Sequence, residues 1–258
     1  MRAGAIAIAA LLVVAGCSGE ITGGGEEPGG GGDDEPHGGV VPDGGGPAPV
    51  DCYGRLDAAG VTYERGPDMP GVASPVTVTT PIAGITHRYL DSSEPRATFF
   101  MDCELAAALV AAAPLLAERD VVEVVDIGVY NYRCIGSQGT PPDCPNGISQ
   151  HAYALAIDFA EFVQEDGTTY SVQGDWVIDP DGEDTCGAAT ASDEDAFLHE
   201  LICAEKAAGI WNIVLTPNYN ADHRDHFHVD LTADSDFIER TAAGRPAATA
   251  MDVAGAYD

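Results

Sequence analysis

The sequence predicts an α+β domain with a central, largely antiparallel sheet, flanked by helices and braced by disulfides. Three observations carry that expectation. Alternating apolar stretches at 121–133, 154–160 and 226–231 read as strands, stretches with helical apolar spacing follow Asp102 and Ser192, and the six cysteines beyond residue 50 form an even set. At 258 residues, with a removable leader and a low-complexity stretch near the front, the chain has room for one such domain.

Residues 1–16 hold Arg2 and an apolar run through Val14, followed by Val14-Ala15-Gly16-Cys17. That pattern reads as a lipoprotein signal peptide, with Cys17 as the acylated amino terminus. The run is too short to stay in a bilayer, so membrane attachment is expected through the lipid alone. Residues 17–50 are the expected tether: from Ser18 to Val50 there are 13 glycines, seven acidic residues and no Lys or Arg. Ser18 supplies no acidic retention signal, which points to an exported envelope lipoprotein on the outer-membrane or periplasmic face.

The folded domain is expected over 51–232. Asp102 is placed to cap a helix carrying Leu105, Leu109 and Val110, with Pro114 expected to kink or end it. Residues 121–133 read as one or two strands. A second helix is marked by Ser192 and Asp195 as a capping box, by Phe197, Leu201, Ala204 and Ala208 as an apolar face, by Lys206 in the last turn and by Gly209 beyond it. Residues 233–258 lack a strong pattern and read as a C-terminal tail. In an exported chain without a Cys-x-x-Cys pair the cysteines argue for three disulfides, and the sequence does not choose among the possible pairings; Cys134–Cys144 across a Gly/Pro loop, Cys186–Cys203 and Cys52–Cys103 are the pairs guessed. A formal charge of −31, with one lysine against 42 acidic residues, argues against nucleic acid and anionic lipid surfaces as partners.

Two segments carry the chemistry. Of seven histidines, four lie in Ser149-Gln150-His151 through Asp158 and in His223-Arg224-Asp225-His226-Phe227-His228-Val229-Asp230. On a strand, Ala154, Ala156, Asp158 and Ala160 share one face, opposite Leu155, Ile157 and Phe159. Small residues beside a single acid leave room for a metal and a substrate. His151, an odd seven positions earlier, belongs to the loop leading in. His226, His228 and Asp230 share another strand face, and histidines two apart stand roughly 7 Å apart at their Cα atoms, close enough to approach one ion. With the strands adjacent, His151, Asp158 and one of these histidines form a two-imidazole, one-carboxylate set that leaves zinc an open fourth position. Asp225 is then placed to take a proton from water. Trp176 and Trp211 read as core or cleft walls, and 179–184 reads as an acidic turn rather than a calcium loop.

These motifs resemble the LAS metallopeptidase superfamily, which includes D-alanyl-D-alanine carboxypeptidases, dipeptidases and murein endopeptidases. Within it the likeness is to the bacterial extensin-like C-terminal domain, through Cys52, Cys103, Tyr132-Arg133-Cys134, Ser149 to Asp158 and His223 to Asp230, and it spans most of 51–232. The resemblance implies an LAS-type fold with one Zn²⁺ held by His151, Asp158 and His228. It implies Asp225 as general base, His226 steadying the tetrahedral intermediate, and Arg133 binding a substrate carboxylate or the oxyanion, with Ser149 assisting. His223, His226 and His228 also match a His-x-x-His-x-His pattern of some murein endopeptidases, which leaves His223 as a rival to Asp225 or as a substrate contact. Ala154 stands where the motif usually has glycine. The implied activity is zinc-dependent hydrolysis of amide bonds in peptidoglycan peptides. Some members of the superfamily keep the zinc fold for recognition, so the alternative is a non-catalytic, wall-binding envelope lipoprotein.

Overall fold

A computed structural model describes residues 51–180 and 184–238; the expected signal peptide, Cys17, the expected tether up to residue 50 and residues 239–258 lie outside the described residues. Asp51 accepts from the Gly54 amide at 2.8 Å and caps α1 (Cys52–Ala58). There follow β1 (Tyr63–Arg65), β2 (Pro75–Thr79), β3 (Thr86–Tyr89) and β4 (Thr98–Asp102). Asp102 caps α2 (Cys103–Ala117) by accepting from the Glu104 amide at 2.9 Å, and its other oxygen accepts from Ser74 at 2.8 Å. The helix does not end at Pro114 but runs on to Ala117. A proline so near the end sacrifices a single backbone bond, and burial of Ala112, Ala113 and Leu116 holds the last turn against the core.

The remaining elements are β5 (Val121–Gly128), β6 (Ala156–Gln164), β7 (Thr169–Ser171), α3 (Val172–Asp175), α4 (Asp193–Ala207), β8 (Ile213–Leu215), β9 (Phe227–Asp230) and β10 (Phe237–Ile238). Of the stretch 121–133, only the part through Gly128 is strand. Strands β1, β2 and β4 form a small antiparallel sheet, and the larger sheet runs β10-β8-β9-β6-β5-β3, with β7 also on β6. Its centre is antiparallel, while β3 with β5 and β10 with β8 are parallel, so the whole is mixed. Phe237 and Ile238, which carried no strand signal of their own, become ordered by pairing with Ile213 and Val214.

Strand β6 is the spine. Behind it Phe159 packs edge-on against Phe162 and Trp211, and Trp176 packs edge-on against Phe227. Both tryptophans are core residues. The Ser192 hydroxyl caps α4 by accepting from Asp195 at 3.1 Å, and Gly209 at φ 68° ends the turn beyond it. The buried side of α4 is nevertheless rotated from the expected one: Asp195, Leu198, His199, Leu201, Ile202 and Glu205 face inward, while Phe197 and Ala204 are half-buried and Ala208 is exposed. The inward polar groups are partnered, which makes their burial affordable. Asp195 accepts from the amides of Val177 and Ala191 at 2.8 Å, His199 stacks on Trp176 at 3.8 Å, and Glu205 accepts from Trp211 Nε1 at 2.6 Å.

The disulfides are the expected ones, Cys52–Cys103, Cys134–Cys144 and Cys186–Cys203. By loop closure each restricts the unfolded chain by roughly 3–4 kcal/mol. In the expected acidic turn, Asp179 is buried and accepts from Asn218 at 2.6 Å, and residues 181–183 lie outside the described residues.

Candidate metal centre

His151 is presented by a short 3-10 turn, Gln150–Tyr153, rather than by a strand. Ser149 is wholly buried, and its hydroxyl accepts from the His151 amide at 3.2 Å, which fixes the start of the turn. Ala154 closes it at φ 54°, ψ 33°, in the left-handed region. The strand expected from Ala154 therefore begins at Ala156, because Ala154 is used to reverse the chain into β6. This conformation explains why a glycine suits the position: a Cβ there costs roughly 1 kcal/mol.

Asp158 on β6 and His228 on β9 are register partners, so their side chains leave the sheet on one face. Two of the three register shifts in the pairing of β5 with β6 fall between Val125 and Gly128, beside Asp158. Three atoms converge there. Nε2 of His151 lies 3.2 Å from Oδ1 of Asp158 and 3.2 Å from Nδ1 of His228, which is 3.0 Å from the same oxygen.

The outward nitrogens fix what the inward ones offer. Nδ1 of His151 is 2.7 Å from the carbonyl of Val129, and Nε2 of His228 is 3.1 Å from Oδ2 of Asp230. Both partners only accept, so those nitrogens carry the hydrogens and the inward ones present lone pairs. Three acceptors packed this closely repel one another unless a cation stands among them. Their spacing also fits one face of a tetrahedron, whose edge is about 3.3 Å for nitrogen and oxygen ligands at zinc. His151, Asp158 and His228 can thus hold a metal ion, and two imidazoles with one carboxylate suit zinc. Burial acts to raise the Asp158 carboxyl; when no ion is bound and His151 and His228 are protonated, they instead hold it well below the usual carboxylate range.

Of the other expected site residues, His226, Asp225 and His223 lie beside this set. Nε2 of His226 lies 3.7 Å from Oδ1 of Asp158, and its Nδ1 is 2.8 Å from Oδ1 of Asp225. Asp225 is half-exposed, so this pair sits at the mouth of the site. His223 is buried, with Nδ1 2.8 Å from Oδ1 of Asn220 and its ring 5.1 Å from that of His226. Arg133 is half-buried, and its carbonyl accepts from the Ser149 amide at 3.2 Å, which ties its backbone to the His151 turn. The Cys134–Cys144 disulfide closes the loop between them.

Two participants escape the sequence reading. Asp230 was visible on the same strand face as His228, but its role as the hydrogen-bond partner that orients His228 depends on side-chain direction. The Val129 carbonyl orients His151 equally well and leaves no side-chain signal at all.

A family model described as extensin-like protein C-terminus matches residues 50–239. Comparison with curated proteins and with solved structures gives no match.

Proposed function

The chain belongs to the extensin-like protein C-terminus family, and we propose that it is a zinc-dependent hydrolase of amide bonds in cell-wall peptides, of the D-alanyl-D-alanine carboxypeptidase or murein endopeptidase type. The observation that carries this reading is the convergence of three lone-pair donors, His151 Nε2, Asp158 Oδ1 and His228 Nδ1, beside a half-exposed Asp225–His226 pair. The likeness of Ser149–Asp158 and Asp225–His228 to the LAS metallopeptidase motifs supports it. A purely structural zinc site closes all four positions with protein ligands and has no use for an acid–base pair at its mouth.

Zinc on these donors would act as a Lewis acid, making a water acidic near neutral pH and polarising an amide carbonyl. The Asp225–His226 pair receives the proton of the attacking water. Asp225 holds Nδ1–H of His226, which leaves Nε2 of His226 facing the site as the proton acceptor. Once charged, His226 donates from Nε2 toward the negative charge that develops on the carbonyl oxygen, with Arg133 adding its positive charge. The pair then returns the proton to the leaving amine. Ser149, Val129 and Asp230 act before any chemistry, by fixing where His151 and His228 point. A lipid on Cys17 and the tether behind it would deliver the site to the wall of an envelope compartment.

The test is isolated peptidoglycan incubated with zinc-loaded protein. Wild type releases free amines or D-alanine, and Asp225→Ala releases less by at least about 100-fold. Equal release by both proteins would remove Asp225 from the chemistry, and no release by wild type that still binds the wall would favour the non-catalytic wall-binding alternative.

A further inference from the structure

We propose that Tyr89 is the platform of a carbohydrate subsite beside the metal centre, taking the face of a sugar ring from the wall glycan; the proposal rests on the wall-directed reading of the site. Tyr89 ends β3 and is 46% exposed, an unusual degree for an aromatic side chain beside a buried polar cluster. One face of its ring is covered, since the Arg96 guanidinium carbon lies 3.0 Å from the ring centroid. Arg96 is itself held by the buried carboxylate of Asp126 and by the ring of Phe99 at 4.1 Å. The tyrosine is thus fixed from beneath, and its outer face meets solvent.

Its position ties it to the site. A Cβ built on Gly128 would stand 3.9 Å from Cε1 of Tyr89, and Gly128 is the register partner of Asp158. The ring therefore lies over a residue only one rung, about 5 Å between Cα atoms, from a candidate metal ligand. The Leu90 amide is tied to the Asp126 carbonyl at 2.9 Å, which anchors the chain just beyond Tyr89.

The chemistry around the platform selects its occupant. The loop that follows Tyr89 carries exposed Asp91 and Glu94. Carboxylates accept hydrogen bonds from hydroxyls and repel anions, and the whole chain has a formal charge of −31. A nucleobase would also stack on a tyrosine, but its phosphates would be repelled. A neutral ring with an apolar C–H face and hydroxyls at its rim satisfies both features.

Binding is measured by nuclear magnetic resonance titration on full-length Asp225→Ala protein, with a β-1,4-linked N-acetylglucosamine tetrasaccharide as one probe and a sugar-free stem peptide as the other. In that background, added Tyr89→Ala is expected to weaken tetrasaccharide binding by about tenfold and to leave peptide binding unchanged, whereas Tyr89→Trp restores it. Tyr89→Trp also keeps the cover over Arg96, so it controls for lost folding. Tetrasaccharide binding that is absent, or that Tyr89→Ala leaves intact, overturns the proposal; so does a loss confined to the peptide, which would mark an apolar peptide subsite. The readout needs no hydrolysis, so amine release in the separate wall assay decides the enzymatic reading independently.

Discussion

Asp158 and His228 face each other across the β6–β9 ladder, with Oδ1 and Nδ1 3.0 Å apart. Neither atom has a hydrogen to offer the other when the imidazole is neutral, since the His228 hydrogen is directed to Asp230. Removing either imidazole should therefore empty the site while leaving the fold intact. His151→Ala and His228→Ala are expected to retain less than about a tenth of the wild-type zinc after dialysis, by elemental analysis. Undiminished zinc in either variant would refute the ligand assignment.

Asp230 is buried and accepts from the outward nitrogen of His228, so it sets which nitrogen of His228 faces the ion. Asp230→Ala should weaken zinc affinity by roughly 10–100-fold, with one ion still bound at saturation. Competition with a chelator measures it. Wild-type affinity would mean that the strand alone aims His228.

Glu205 gives the fold a pH dependence distinct from catalysis. Burial pushes its carboxyl up from 4.5 to about 7, against the opposing effects of Trp211 and Arg119, and Oε1 lacks a partner among the described residues. A group that holds its proton more tightly when folded contributes stability below its unfolded pKa and loses it as pH rises through the folded one. The loss is therefore expected between about pH 4.5 and 7 and amounts to roughly 3 kcal/mol. Glu205→Gln should raise the urea midpoint at pH 8 and not at pH 4. An equal shift at both pH values would remove ionisation as the cause.

Ala154 separates backbone conformation from side-chain volume. Ala154→Gly relieves a positive φ by roughly 1 kcal/mol and loses a buried methyl of similar worth, so little net change is expected. Ala154→Val puts a β-branched residue at φ 54° in a closed space and should destabilise by more than about 2 kcal/mol. Denaturant unfolding of the two variants checks the contrast, and a tolerated valine would contradict the left-handed assignment.

A set of His151, Asp158 and one of His226 and His228 was legible because two facts about strands, alternation and adjacency, place Asp158 and those histidines on one face, while the choice of His228 rested on the family resemblance. Their register was not, since nothing local says that Asp158 pairs with His228 rather than a neighbour two residues along. Ala154 was misread because it continued an apolar alternation by coincidence, and alanine, unlike glycine, gives no warning of a positive φ. The face of α4 was misread for the opposite reason. Counting only apolar residues passed over Asp195, His199 and Glu205, whose burial depends on partners far away in sequence. Pro114 marked the last turn of α2 rather than its end, because propensity yields to burial of the residues beyond it.

The most direct measurement follows amine release from peptidoglycan as zinc is returned in steps to the stripped protein. Release should rise in proportion to bound zinc and level off at one ion per chain. Release that persists in the stripped protein, or a zinc-saturated protein that releases nothing, would contradict the account.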